Sequence, residues 1–129
     1  MDSRRINEDY NKMARELIDK RPELEDIRNG GVTIICLSSS HEKKKADKKV
    51  LGQCEKISEK YKWGIPCDFT ITVFEPNIEG FTEEQLYILL FHELLHVGVD
   101  GERLYIKGHD LEDFKVIIDE FGTGWDEVD

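Results

Sequence analysis

The sequence predicts a mixed α+β fold in a single domain, and three observations carry that prediction. Residues 68–74 (DFTITVF) alternate apolar and polar side chains with the period of a half-buried strand. A segment from Leu86 to Val97 is apolar on almost every side, as a central helix is. The chain of 129 residues has the length that encloses one hydrophobic core, so residues 1–129 are read as one domain.

The elements follow in order. Ile6, Tyr10, Met13, Ala14, Leu17 and Ile18 recur at spacings of three and four, which predicts a helix over residues 6–21 stopped by Pro22. A polar stretch closes at Asn29-Gly30-Gly31, and the β-branched run at 32–37 (VTIICL) reads as a buried strand. Residues 41–49 (HEKKKADKK) form a basic loop. Residues 50–57 (VLGQCEKI) fit a strand kinked at Gly52 or part of a helix reaching Lys60; the glycine, which weakens a helix interior, favours the strand. In 68–74, Phe69, Ile71 and Val73 share one face and Thr70 and Thr72 the other. Pro76, Asn77 and Gly80 end that strand. Thr82-Glu83-Glu84-Gln85 is a capping box, so a helix starts at about Glu83 and runs to Gly98. A short strand is a candidate at 103–106. Leu111, Phe114, Ile117, Ile118 and Phe121 mark a closing amphipathic helix that ends at Gly122.

Composition narrows the function classes. The net charge of −10 repels phosphate backbones and anionic membranes, so nucleic acid is a poor partner unless the basic loop acts locally. That loop reads first as a solvated charge run. Cys36, Cys54 and Cys67 are odd in number, widely spaced and without a CxxC pair, which fits reduced core thiols and a cytoplasmic location. No apolar stretch approaches the roughly 18 residues that a membrane span needs, and the N-terminus lacks a signal-like apolar region.

Within the apolar helix stands His92-Glu93-Leu94-Leu95-His96, an HExxH pattern. Histidines at i and i+4 project from one helix face a turn apart, where two imidazoles can converge on one zinc ion. Glu93 lies beside that face, placed to reach a water rather than the metal, and is the candidate general base. Two histidines and a glutamate inside an otherwise apolar helix are costly to bury without a ligand. Catalytic zinc commonly takes three protein ligands, and His109, thirteen positions after His96, is the leading third; Glu112 is its rival, and a capping or surface role for His109 stays open. Glu102 stands where a metzincin's third histidine would be, so that extended pattern is absent. Asp110 and Asp113 are candidates to accept the second ring N–H of a bound imidazole. Tyr105 is either a packed aromatic or a donor to a developing oxyanion. An extended substrate would pair with an exposed sheet edge, for which residues 68–74 are the candidate.

The runs DFTITVFEPN, GFTEEQ, FHELLHVG and GHDLEDF resemble the phage metallopeptidase family of bacteriophages and prophages, over about residues 32–125. More distantly they resemble SprT-like proteins and other minimal zincins of gluzincin type. The resemblance implies a minimal zincin-like fold: an N-terminal helix, a small mixed sheet of about three strands, a buried HExxH helix and a closing C-terminal helix. It implies Zn2+ ligands at His92, His96 and His109, a catalytic Glu93, and a protein or peptide substrate cleaved in a bacterial host's cytoplasm. A non-catalytic zinc-binding interaction module and a DNA-associated SprT-like protease are the alternatives; the oligomeric state is not encoded in any motif.

Overall fold

The computed structural model describes residues 3–108 and 114–127. Its principal sheet has four strands in the order β1-β2-β6-β5: β1 (Arg4–Ile6), β2 (Ile34–Ser39), β5 (Gly52–Lys56) and β6 (Phe69–Phe74). β1 pairs antiparallel with β2, β2 parallel with β6, and β6 antiparallel with β5. Two further hairpins, β3–β4 (Lys44–Lys45 with Lys48–Lys49) and β7–β8 (Val97–Asp100 with Arg103–Ile106), stand outside this sheet. The helices are α1 (Glu8–Lys20), α2 (Glu25–Gly30), α3 (Glu83–Leu95) and α4 (Lys115–Phe121). The α+β class is therefore as expected, with one more strand in the main sheet than the sequence suggested.

β6 is the spine of the core. Phe69, Ile71 and Val73 are fully buried, and so is Cys36 on β2, which pairs with Ile71. Leu90, Phe91 and Leu94 of α3 and Ala14 and Leu17 of α1 belong to the same cluster. Burying a Leu or Phe side chain stabilises by about 1.5–3 kcal/mol, so this cluster fixes how α3 lies relative to the sheet.

Several boundaries differ from the sequence reading: the strand expected at 32–37 lies at Ile34–Ser39, the one expected at 50–57 at Gly52–Lys56, and Phe114 is the extended N-cap of the closing helix rather than part of it. The N-terminal helix begins at Glu8, because Asn7 caps it: its Oδ1 accepts from the Tyr10 amide at 3.0 Å, and its Nδ2 donates to Ser38 Oγ at 2.8 Å. Arg4–Ile6 is instead the short edge strand β1. The polar stretch before Gly31 forms α2, ended by Gly31 in the left-handed region at φ 63°. The apolar helix stops at Leu95, with His96 as its C-cap, and the chain turns directly into β7.

The ends of the molecule are tied to α3. Arg21 donates to both carboxylate oxygens of Glu120 on α4, at 3.0 and 2.5 Å, and its guanidinium lies 4.4 Å from the centre of the Phe91 ring. Gln85 completes the capping box with Thr82 and also donates to the carbonyls of Trp125 and Glu127, at 3.1 and 2.5 Å. The Phe114 and Trp125 rings lie against His92 in the C-terminal half of α3. Among the described residues no helix is long and apolar enough to cross a membrane.

Candidate active site

His92 projects from the last turn of α3 and His96 from its cap. The cap residue keeps right-handed helical dihedrals (φ −73°, ψ −17°), so the i, i+4 relation survives the end of the helix. Both rings are half-buried, with centroids 5.2 Å apart and planes at 68°.

The orientation of His96 has a clear cause. Its Nδ1 lies 2.6 Å from the carbonyl oxygen of Lys107, and the Lys107 amide donates back to the His96 carbonyl at 2.7 Å. A carbonyl oxygen accepts and cannot donate, so Nδ1 carries the proton and a neutral His96 presents its Nε2 lone pair away from that bond. The two-way clasp extends the β7–β8 ladder by one step, and the sequence turns back at Gly101, at φ 62°, to make it.

Phe114 closes one side of the pair, edge-on to both rings at 5.5 Å from His92 and 5.0 Å from His96. Trp125 lies 6.0 Å from His92. The histidines therefore sit against apolar rings supplied by the C-terminal segment, which lowers the local dielectric and strengthens electrostatic interactions there.

Glu93 is 4% exposed, beneath the start of β5. A methyl group at Gly52 would lie 3.2 Å from Glu93 Oε2 and 3.3 Å from its Cγ, so the bare glycine backbone is what admits this carboxylate. Cys54, two residues on, is close enough to sense it: burial pushes the Cys54 thiol well up, and the Glu93 charge adds to that. All three cysteines are free thiols.

Tyr105 is cross-strand to Gly98, and a Cβ at Gly98 would fall 2.6 Å from its ring. The phenol ring thus covers the glycine of the strand that follows His96, with the Arg103 guanidinium 5.2 Å from the ring centre. That is the packed-aromatic reading of this residue. The sheet edge differs from expectation: β6, at 69–74, is paired on both sides, and β5 ends the sheet beside Glu93.

The structure sets the His92 and His96 rings against each other, and buries Glu93 against Gly52 of β5. His109, Glu112, Asp110 and Asp113 lie outside the described residues; among the described residues no group of three or more His, Cys, Asp or Glu side chains is arranged to hold a metal ion. The sequence reading missed the Lys107 carbonyl, because a main-chain acceptor leaves no residue-type signal. It missed the role of Gly52 too, although a lone glycine inside a strand pattern does signal a close approach.

The model of a family described as "Putative phage metallopeptidase" matches residues 4–129. The chain belongs to that family. Neither the curated proteins nor the solved structures contain a match. Membership brings a metal cofactor and a protein or peptide substrate as properties of the family, and both fit a chain whose HExxH histidines face each other.

Proposed function

We propose that this chain is a zinc-dependent metallopeptidase that hydrolyses peptide bonds, with Glu93 as general base and His92, His96 and His109 as metal ligands. The observation that carries the reading is the histidine pair itself, with one tautomer fixed by a backbone carbonyl. Two imidazoles bound to one tetrahedral ion at about 2.0–2.1 Å would have ring centroids roughly 5 Å apart. The observed separation is 5.2 Å, so the donor set fits. A second ring nitrogen hydrogen-bonded to a carbonyl is the usual outer partner of a metal-ligating histidine, which Lys107 supplies to His96. The described residues flanking His109 support its inclusion: Lys107 is bonded to His96, and Phe114 touches both rings.

Zinc, when bound, supplies a Lewis acid that acidifies water and polarises the scissile carbonyl. The chain supplies the rest. Glu93 takes a proton from the attacking water and returns it to the leaving amine. His92 and His96 hold the metal's position, and the Phe114 and Trp125 rings restrict water. β5 is the edge strand beside Glu93 along which an extended substrate would pair through backbone hydrogen bonds, in place of the 68–74 segment.

An intact glutamate between the histidines separates this reading from a structural zinc module, which has no use for a base. Glu93→Gln should retain the metal and lose peptide hydrolysis by at least about a hundredfold. Hydrolysis unchanged in that variant contradicts the assignment of the base.

A further inference from the structure

We propose that two copies of this chain associate about a two-fold axis, the basic hairpin of each seating in an acidic groove of the other. The chemistry at the histidines plays no part in this inference.

The groove is a cleft of about 890 Å³ between α1, the N-terminal end of α3 and the turn at Glu75–Ile78. Asp9, Glu16, Glu79 and Glu83 border it, over an apolar floor that includes Met13, Phe81 and Leu86. Lys12 is the single basic side chain lining it among the described residues, and no cation pairs with those four carboxylates there.

The hairpin is its chemical counterpart. β3 and β4 set Lys44 opposite Lys49 and Lys45 opposite Lys48, all exposed, and like charges directly across a ladder repel. Its two turn residues, Ala46 and Asp47, are both left-handed at φ 50° and 65° without being glycine. No carboxylate among the described residues pairs with these lysines. A hairpin that opposes both its charge pairing and its turn geometry marks a segment kept for contact, since local conflicts of this kind concentrate at functional sites. The segment is held in place nonetheless: Asn77 Nδ2 donates to the carbonyls of Lys43 and Val50, both at 2.8 Å, one on each side of the hairpin.

The two patches adjoin. Pro76, Glu79 and Phe81 line both the acidic groove and the neighbouring cleft that Lys49 borders. A positive patch beside a negative one is self-complementary under a two-fold rotation, so one interface satisfies both twice. The groove's apolar floor suits the methylene stems of lysine. The net charge of −10 does not forbid the contact, because diffuse repulsion is screened beyond about 8 Å at physiological salt while touching pairs are not. The groove opens at the start of α3 and His92 lies nine residues on, about 13 Å along the axis, so the association leaves the histidines accessible.

The test is sedimentation velocity on the full chain over a wide concentration range, from roughly 0.1 to 1 M salt. The wild type should dimerise at the low-salt end and dissociate toward the high. Reversing the hairpin (Lys44→Glu with Lys45→Glu) or the groove (Glu79→Lys with Glu83→Lys) should each raise the dissociation constant at least about tenfold. A chain carrying both reversals should regain the dimer, because the charges match again. Glu25→Lys with Asp26→Lys, on α2, shifts the net charge as far and should not weaken association. Circular dichroism checks that each variant folds; Lys48→Glu with Lys49→Glu and Asp9→Lys with Glu16→Lys serve as the second set. A wild type that stays monomeric at low salt, or a double reversal that fails to restore the dimer, overturns the proposal. Binding of a synthetic lysine-rich peptide in the groove of a monomeric wild type would overturn it equally and give the groove a different occupant.

Discussion

Gly52→Ala is the substitution with the most to say about the site. The added Cβ would lie 3.2 Å from Glu93 Oε2, 3.3 Å from Glu93 Cγ and 3.3 Å from the Thr72 carbonyl oxygen. Ordinary contacts between carbon atoms fall near 3.5–4.0 Å, so something must retreat by about 0.3 Å or more. The Thr72 carbonyl belongs to the backbone of β6, which is paired on both sides; the Glu93 side chain gives way first. Overpacking of this kind costs about 1–3 kcal/mol, offset by about 0.5–1 kcal/mol because alanine loses less backbone entropy than glycine on folding. Truncating Glu93 removes two of the three close contacts. Gly52→Ala should therefore be less destabilising in a Glu93→Ala background by about 1 kcal/mol, above the roughly 0.3–0.5 kcal/mol within which independent sites add. Urea unfolding of the wild type, the two single variants and the double variant measures that coupling without needing a substrate. Additive effects would refute the claim that the glycine makes room for this carboxylate. Where hydrolysis is measurable, the same variant should lose about tenfold to a hundredfold in kcat with its metal content unchanged, since displacement of a reacting group by up to 1 Å carries that cost.

Two predictions concern titration and thiol chemistry. The Asp68 carboxyl is partly buried, which opposes ionisation, yet the Thr33 amide and the Lys62 ammonium, both donating at 2.9 Å, outweigh burial and hold it below the usual carboxylate range. Its contribution to stability is thus full above the unfolded-state value near 4 and is lost as pH falls through the lower folded value. Asp68→Asn should flatten the acid limb of a stability–pH curve below about pH 4 and leave its neutral shape unchanged; an unaltered acid limb contradicts this. Burial pushes the Cys36 thiol up to about 12, and burial with the Glu93 charge raises Cys54 further. At about pH 8 the fully buried Cys36 thiol should label only as fast as the protein unfolds, whereas rapid labelling of Cys36 in the native state would contradict its burial on β2.

Strong local signals made part of this molecule legible. The alternation at 69–74 and the Thr82–Gln85 capping box are encoded within a few residues, and each element formed where its pattern lay. β1 was hidden because Arg4–Ile6 is short, charged and exposed, and is held by pairing with β2 rather than by any preference of its own. The β3–β4 hairpin was hidden because lysine is a poor strand former and Ala-Asp is not a turn signal for a two-residue hairpin. At the site, the HExxH spacing named the residues that face one another. The sheet edge beside them was misjudged, because alternation identifies a strand but not its neighbours: 68–74 has the pattern of a half-buried strand and lies between two partners. The clasp on His96 depended on β7–β8 pairing, a tertiary fact that one strand's sequence does not carry.

The most direct test of the proposed metal centre is elemental analysis of the purified chain beside His92→Ala, His96→Ala and His109→Ala variants. The account predicts about one zinc per chain in the parent, as for a mononuclear catalytic site, and much less in each variant. A parent that holds no zinc after the metal is supplied would contradict the metallopeptidase reading, and full retention by His109→Ala would remove His109 from the ligand set and turn attention to Glu112.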